Sequence, residues 1–98
     1  MRTYTKIIKN LDDWLGDASL YKLSEFIAYN EPFEKDDPPA EKTEFIVVSS
    51  VTAIFSGPET FIFPADKEGN CLNWSQLEGS YQGGLDHIKA LNNLGFYE

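Results

Sequence analysis

The sequence predicts a single α+β domain over residues 1–98, in which a small antiparallel sheet of three to four strands is packed by a short N-terminal helix and a C-terminal helix. The longest apolar segment, residues 44–64, is rich in β-branched and aromatic side chains and is interrupted at Ser56-Gly57-Pro58, which predicts a central hairpin. Apolar residues at helical spacing near both ends of the chain predict the two helices. A hairpin alone is marginally stable in water, so the other elements are expected to cover it.

Residues 6–15 are predicted to form the N-terminal helix, with Thr5 as its N-cap and Gly16 as its stop. The apolar stripe that predicts it consists of Ile7, Ile8, Leu11, Trp14 and Leu15. Trp14 is interpreted as a core side chain.

Residues 20–29 have the composition of a strand but imperfect alternation, which is typical of an edge strand or of one covered on both faces. The hairpin that follows consists of strands at residues 44–56 and 60–64, with a bulge or bend expected at Ser49-Ser50. Cys71-Leu72 is predicted to add a short fourth strand. One helical turn over residues 73–77 then follows, and its Trp74 is expected to pack on the sheet.

Residues 85–94 are predicted to form the C-terminal helix, because leucine or isoleucine recurs at every third position. Asp86 is expected to act as an acid or cap at its N-terminus, and Gly95 is expected to end it. Phe96 and Tyr97 are expected to fold back over an edge of the core.

The chain is strongly acidic, with 16 acidic and 8 basic residues and a formal net charge of -8. This charge opposes direct binding to nucleic acid or to an anionic membrane and favours a basic partner. Cys71 is the only cysteine, which excludes an internal disulfide and fits a reducing compartment. No apolar run is long enough for a transmembrane helix, and the first residues lack the apolar core of a secretion signal, so we expect a soluble, cytoplasmic protein.

The acidic residues concentrate in the loop at residues 30–43 and its flank, where six acids and two lysines leave a net charge of -4, half of the total. Three prolines and the absence of an apolar period predict a loop. A solvated loop that favours solubility would explain this composition, and so would an acidic contact surface for a partner protein. The candidate partner-binding residues are Glu31, Glu34, Asp36, Asp37, Glu41 and Glu44.

The residue types needed for catalysis are sparse. His87 is the only histidine, and a triad with Asp86 and Ser80 fails because adjacent helical residues point about 100° apart. Nothing in the sequence marks the Cys71 thiol as activated. One cysteine and one histidine do not make a zinc site, and no calcium-loop signature is present. We expect no enzymatic activity, no cofactor and no metal.

The loop at residues 79–84, GSYQGG, precedes a helix and could present backbone N–H groups to a phosphate or carboxylate. It matches neither a Walker loop nor a dinucleotide-binding fingerprint, and a turn that needs small residues explains it equally well. The candidate ligand-binding residues here are Ser80, Tyr81, Gly83, Gly84 and His87.

The second face of the hairpin is mixed in polarity and makes self-association conceivable through its aliphatic side chains. These are Ile46, Val48, Ile54 and Ile62.

Two sequence blocks, GPETFIFPAD at residues 57–66 and GSYQGGLDH at residues 79–87, resemble a family of small bacteriophage-encoded proteins of uncharacterised function. The similarity covers roughly residues 20–96 and leaves residues 1–18 outside. It implies a phage setting, where small acidic proteins often antagonise host machinery by occupying a protein surface or by sequestering a signalling nucleotide. We therefore expect a non-enzymatic protein that binds and inhibits a host protein, with a defence system as the expected context. The alternative is a homo-oligomer that binds a small ligand or a nucleotide and thereby sequesters a defence signalling molecule.

Overall fold

The computed structural model describes residues 2–9, 11, 14, 16–30, 41–53, 57–74 and 76–98. Within these ranges, five strands form one antiparallel sheet in chain order, and one helix follows them. The elements are β1 (Tyr4–Ile8), β2 (Asp17–Asn30), β3 (Glu41–Ala53), β4 (Gly57–Ala65), β5 (Tyr81–Gln82) and α1 (His87–Leu94). The predicted antiparallel sheet and C-terminal helix are confirmed, but the sheet has five strands and not three to four.

The central hairpin is formed by β3 and β4, whose register runs without interruption from Phe45 opposite Ala65 to Ala53 opposite Gly57. The predicted hairpin is therefore confirmed, and the predicted bulge at Ser49-Ser50 is wrong. Ser50 is accommodated in a regular strand because its hydroxyl lies 3.0 Å from the hydroxyl of Thr60, the residue opposite it. A polar residue inside a buried strand costs little when it has such a partner.

The N-terminal segment forms a strand and not the predicted helix. Tyr4 lies opposite Leu23 and Lys6 opposite Tyr21, so β1 extends the sheet beyond β2, and Thr5 pairs with Lys22 instead of capping a helix. β-branched and aromatic residues favour a strand wherever a neighbouring strand is available to pair with them. Because β1 takes the edge, β2 lies inside the sheet between β1 and β3, which excludes the edge-strand alternative. The other alternative, a strand covered on both faces, is confirmed, because Tyr21 belongs to the core on one face and Leu20 to the core on the other.

The main core lies between one face of the sheet and α1. Its buried members are Tyr21, Leu23, Ile46, Val48, Ile62, Ala90, Leu91 and Phe96. This arrangement corrects the expectation that the mixed face of the hairpin is available for self-association. Ile46, Val48 and Ile62 are fully buried beneath the chain's own helix, while Ile54 lies outside the described residues.

The opposite face of the sheet has a smaller core, covered by the segments that follow β1 and β4. Its buried residues are Ala18, Leu20, Val47 and Ala65, with Leu11, Trp14 and Phe45 packed against them. The predicted packing role of Trp14 is thus confirmed, although it packs from a connecting segment.

The segment after β4 bonds to the edge of the sheet and does not form the predicted fourth strand and helical turn. Cys71 makes only an isolated bridge with Ala65. The backbone N–H of Leu77 donates to Ile62 across 2.8 Å, so it is not available to close a helical turn. Trp74 does pack on the sheet as expected, with its ring centroid 5.8 Å from that of Phe63 on β4, but 73% of its surface remains exposed.

Helix α1 ends at Leu94 as predicted but begins at His87, two residues later than predicted. Asp86 is its N-cap, with a carboxylate that accepts the N–H of Lys89 at 3.2 Å, and Gly95 ends it with φ 103°. Phe96 then folds back and is fully buried, whereas Tyr97 remains 51% exposed. Within the described part of the chain, no helix is both long and apolar enough to cross a membrane.

Candidate functional site

His87, at the start of α1, has both ring nitrogens engaged with β2. Nε2 lies 2.7 Å from the backbone oxygen of Asp17, and Nδ1 lies 3.1 Å from the hydroxyl of Tyr21. A carbonyl oxygen only accepts hydrogen bonds, which assigns the proton of the neutral ring to Nε2 and makes Nδ1 the acceptor for Tyr21. The imidazole therefore ties the helix to the sheet. Asp86 does not orient this ring, as expected, because its carboxylate caps the helix.

Burial raises the pKa of Tyr21 to about 12, with smaller contributions from Tyr4 and Asp17. The ordinary value is 10.0, so the fold stabilises the neutral phenol relative to the unfolded chain. That stabilisation is fully present below pH 10 and is lost as the pH rises through the folded-state value of about 12.

We expect the free energy of unfolding to fall by about 2–3 kcal/mol across this alkaline window because of Tyr21 alone. Tyr21→Phe should flatten the dependence and cost about 1 kcal/mol at neutral pH, since the His87 acceptor loses its donor. Urea denaturation of both proteins at intervals from neutral to alkaline pH measures this. Equal alkaline slopes for the two proteins would show that Tyr21 is not the titrating group.

The loop at residues 79–84 uses its polar atoms to join β4 to the turn before α1. Ser80 Oγ accepts the N–H of Ile62 at 2.7 Å, and the N–H of Gly83 donates to the backbone oxygen of Pro58 at 2.8 Å. The backbone oxygen of Gly84 accepts the Thr60 hydroxyl at 2.9 Å. These groups hold the fold together and are already satisfied within the chain.

The five candidate ligand-binding residues do not converge on one cavity. Ser80 and Tyr81 line a shallow depression of about 230 Å³ together with Phe61, Gln76 and Gln82. His87 instead points toward β2, where its partners are Asp17 and Tyr21.

Cys71 is partly buried, and this burial raises the pKa of its thiol. The thiol donates to the backbone oxygen of Asn73 at 3.2 Å. A neutral, hydrogen-bonded thiol is a weak nucleophile. Across the described ranges of the chain, no three His, Cys, Asp or Glu side chains cluster closely enough to hold a metal ion.

The candidate acidic surface begins on a two-stranded ribbon, residues 25–30 and 41–44, where β2 and β3 continue past the ends of β1 and β4. Ile27 lies opposite Thr43, and Asn30 opposite Glu41. A register shift between Lys22 and Ile27 marks a bulge at the base of the ribbon, a feature that re-aims a strand.

The base of the ribbon is anchored, while one large apolar side chain on it is exposed. The Thr43 hydroxyl donates to the backbone oxygen of Ala65 at 2.7 Å, and Ile27 packs against the main core. Phe26 is 63% exposed. The ribbon thus presents an aromatic side chain from an anchored base.

Two of the six predicted acidic contact residues lie on the ribbon, with Glu41 exposed and Glu44 partly buried. The other four belong to the segment that joins the two ribbon strands and lie outside the described residues: Glu31, Glu34, Asp36 and Asp37. Partial burial raises the pKa of Tyr29, and the negative charge of the nearby Glu41 raises it further.

A second surface, not anticipated from the sequence, contains both tryptophans of the chain. The ring centroids of Trp14 and Trp74 are 5.2 Å apart, and Phe63 lies 5.5 Å from Trp14 and 5.8 Å from Trp74. A cleft of about 190 Å³ opens beside them, which we call the tryptophan cleft. It is lined by Leu11, Trp14, Glu68, Gly69, Asn70, Cys71 and Trp74. The sequence feature that could have indicated this surface is that both tryptophans lie in polar segments that connect the strands.

Comparisons of this chain with protein-family models, with curated proteins and with solved structures found no match.

Proposed function

We propose that this protein acts by binding and not by catalysis, and that it inhibits a host protein by occupying a basic surface on it with the β2–β3 ribbon. The observation that carries the proposal is the exposed Phe26 on an anchored ribbon that continues into the most acidic segment of the chain. Aromatic anchors supply much of the binding energy of protein interfaces, and surrounding charges set association rate and specificity.

The hydrogen bonds that the chemically reactive side chains make within the fold support a binding role over a catalytic one. His87, Ser80 and Cys71 each make hydrogen bonds that serve the fold. To act as an acid or base on a substrate, His87 would have to release its partner on β2 at one of its two ring nitrogens. The same argument weighs against a nucleotide sponge built on the loop at residues 79–84, since Ser80 Oγ and the Gly83 N–H are already bonded within the chain.

The resemblance to small phage-encoded proteins supports the cellular setting of the proposal. In that setting we propose that the partner is a host protein of a defence system. This partner would carry a positively charged surface. The net charge of -8 would speed association with such a surface at low ionic strength.

Reversal of charge at Glu41 on the ribbon and at Asp36, in the acidic segment between its two strands, is expected to weaken binding; we call this double substitution the ribbon variant. Asp36→Lys with Glu41→Lys should weaken the affinity for the host protein by about tenfold or more, because two attractive charges become repulsive. Phe26→Ala should weaken it by a similar factor through loss of the aromatic anchor. The dissociation constant of the purified complex, measured from about 50 to 500 mM salt, should rise steeply for the wild-type protein.

The matched control is Glu78→Lys with Glu98→Lys, which changes the net charge equally at two exposed positions away from the ribbon. This control should bind within about twofold of the wild type, because general charge contributes less than local contacts. The proposal fails if the ribbon variants bind as well as the control.

A further inference from the structure

The turn that forms one wall of the tryptophan cleft is fixed by its own hydrogen bonds. The Asp66 carboxylate accepts the backbone N–H groups of Glu68 and Asn70 at 2.9 and 3.0 Å and the side-chain amide of Asn70 at 3.1 Å. These bonds, led by the one from Asn70, hold the pKa of Asp66 below its usual value. The turn therefore presents Glu68 from a preorganised backbone.

The turn is also attached to the opposite wall of the cleft. The indole N–H of Trp14 donates to the backbone oxygen of Gly69 at 3.1 Å. Gly69 has φ +89° and a Cβ at this position would lie 3.2 Å from Leu11, so the close approach favours glycine. The turn backbone that carries Glu68 is thus joined to the Trp14 indole across the cleft.

Trp74 is supported on one side and open on the other. It contacts Trp14 and Phe63, yet 73% of its surface is accessible, and the neighbouring Leu72 is 43% exposed. A large exposed aromatic surface held in a rigid setting is typical of an interaction site.

We propose that the tryptophan cleft binds an arginine side chain of a partner protein, with the guanidinium stacked on Trp74 and its charge met by Glu68. A cation is favoured because indole faces attract cations and because Glu68 is the charged residue among the described residues that line the cleft. Lys67 is adjacent in sequence but is not part of the lining. Arginine fits better than lysine because its planar group stacks on aromatic rings and pairs with a carboxylate in a bidentate manner. This site is separate from the ribbon and does not depend on the ribbon being a contact surface.

The test uses three short peptides: acetyl-Gly-Arg-Gly-amide, its lysine counterpart, and its citrulline counterpart, which keeps the shape of arginine but carries no charge. The chain contains two tryptophans, so the two indole N–H signals in a ¹H–¹⁵N spectrum report on this cleft directly. We expect a saturable shift of the Trp74 signal with the arginine peptide and at least about fivefold weaker binding of citrulline.

Trp74→Ala and Glu68→Gln should each weaken binding of the arginine peptide by about three- to tenfold. Glu78→Gln is the matched control and should leave it unchanged. Because Trp74→Ala removes the Trp74 signal, binding to that variant is followed by the shift of the Trp14 indole signal, since Trp14 lines the same cleft. Unchanged backbone amide signals of the turn in the free variants would show that the turn is intact.

Equal binding of arginine and citrulline, equal binding of a lysine peptide, or no saturable shift would overturn the proposal. An equal loss with Glu68→Gln and Glu78→Gln would also overturn it. The ribbon variant Asp36→Lys with Glu41→Lys should retain arginine binding, so failure of one site is distinguishable from failure of the other.

Discussion

Replacement of Phe96 with alanine is expected to lower the free energy of unfolding by about 3–5 kcal/mol, because a large aromatic side chain leaves a buried cavity. Phe96 is fully buried, belongs to the main core with Leu91 and Ile62, and has the Arg2 guanidinium 4.4 Å above its ring. It closes the core after α1 and brings the chain end back to β1. Urea denaturation followed by circular dichroism measures the loss.

Tyr97→Ala is the matched control, since Tyr97 is the next residue and is 51% exposed. Its backbone bonds to Arg2 and Tyr4 do not depend on the side chain. We expect a loss of less than about 1 kcal/mol. Similar losses for the two variants would mean that Phe96 does not occupy the core position described above.

Replacement of Gly79 with alanine is expected to cost about 3 kcal/mol or more, because a strained backbone and a steric clash add together. Gly79 has φ +103°, and a Cβ there would lie 2.8 Å from the backbone N of Leu94 and 2.9 Å from its Cα. The turn therefore lies directly against the backbone of Leu94, the last residue of α1. A Cβ at Gly79 could be accommodated only if the helix backbone moved. A denaturation midpoint shifted without a change in slope would report the loss.

The variant Gly83→Ala separates the cost of the strained backbone from the cost of the steric clash. Gly83 lies in the same loop with φ +91°, but a Cβ there would meet nothing within 4 Å. Gly83→Ala should therefore lower the free energy of unfolding only by the cost of the strained backbone, about 1–2 kcal/mol. If Gly83→Ala were as destabilising as Gly79→Ala, the close approach to Leu94 would contribute nothing.

The elements that were predicted correctly have short-range signals. The hairpin has a glycine-proline break between two β-branched runs, and α1 has a capping acid at Asp86 and a terminating Gly95. Phe96 follows directly from that helix end, since its N–H bonds back to Leu91 at 3.0 Å. Such signals act within a few residues and are therefore readable from the sequence.

The N-terminal segment was predicted wrongly because its pattern fits two structures. Ile7, Leu11 and Trp14 recur at helical spacing, but they also suit a strand followed by a covering segment. Pairing of Tyr4 with Leu23 decides between them, and that partner is distant in the chain. Tertiary pairing outweighs local periodicity here.

The candidate site depended on similar long-range partners. The acidic segment was recognised from composition, but the partners of His87 and Ser80 are Tyr21 and Ile62, which no spacing rule connects to them. The exposure of Trp74 depends on where the turn after β4 meets Trp14. Sequence alone could therefore identify these residue types without showing which of them remain available for binding.

The most direct test of our account is native mass spectrometry of the protein purified from its host cell, because it reports retained polypeptides and retained small molecules together. We predict a complex of this chain with a host polypeptide that is lost from Asp36→Lys with Glu41→Lys and kept by Glu78→Lys with Glu98→Lys. A chain or homo-oligomer that carries a small molecule, unaffected by the ribbon variant, would contradict the account.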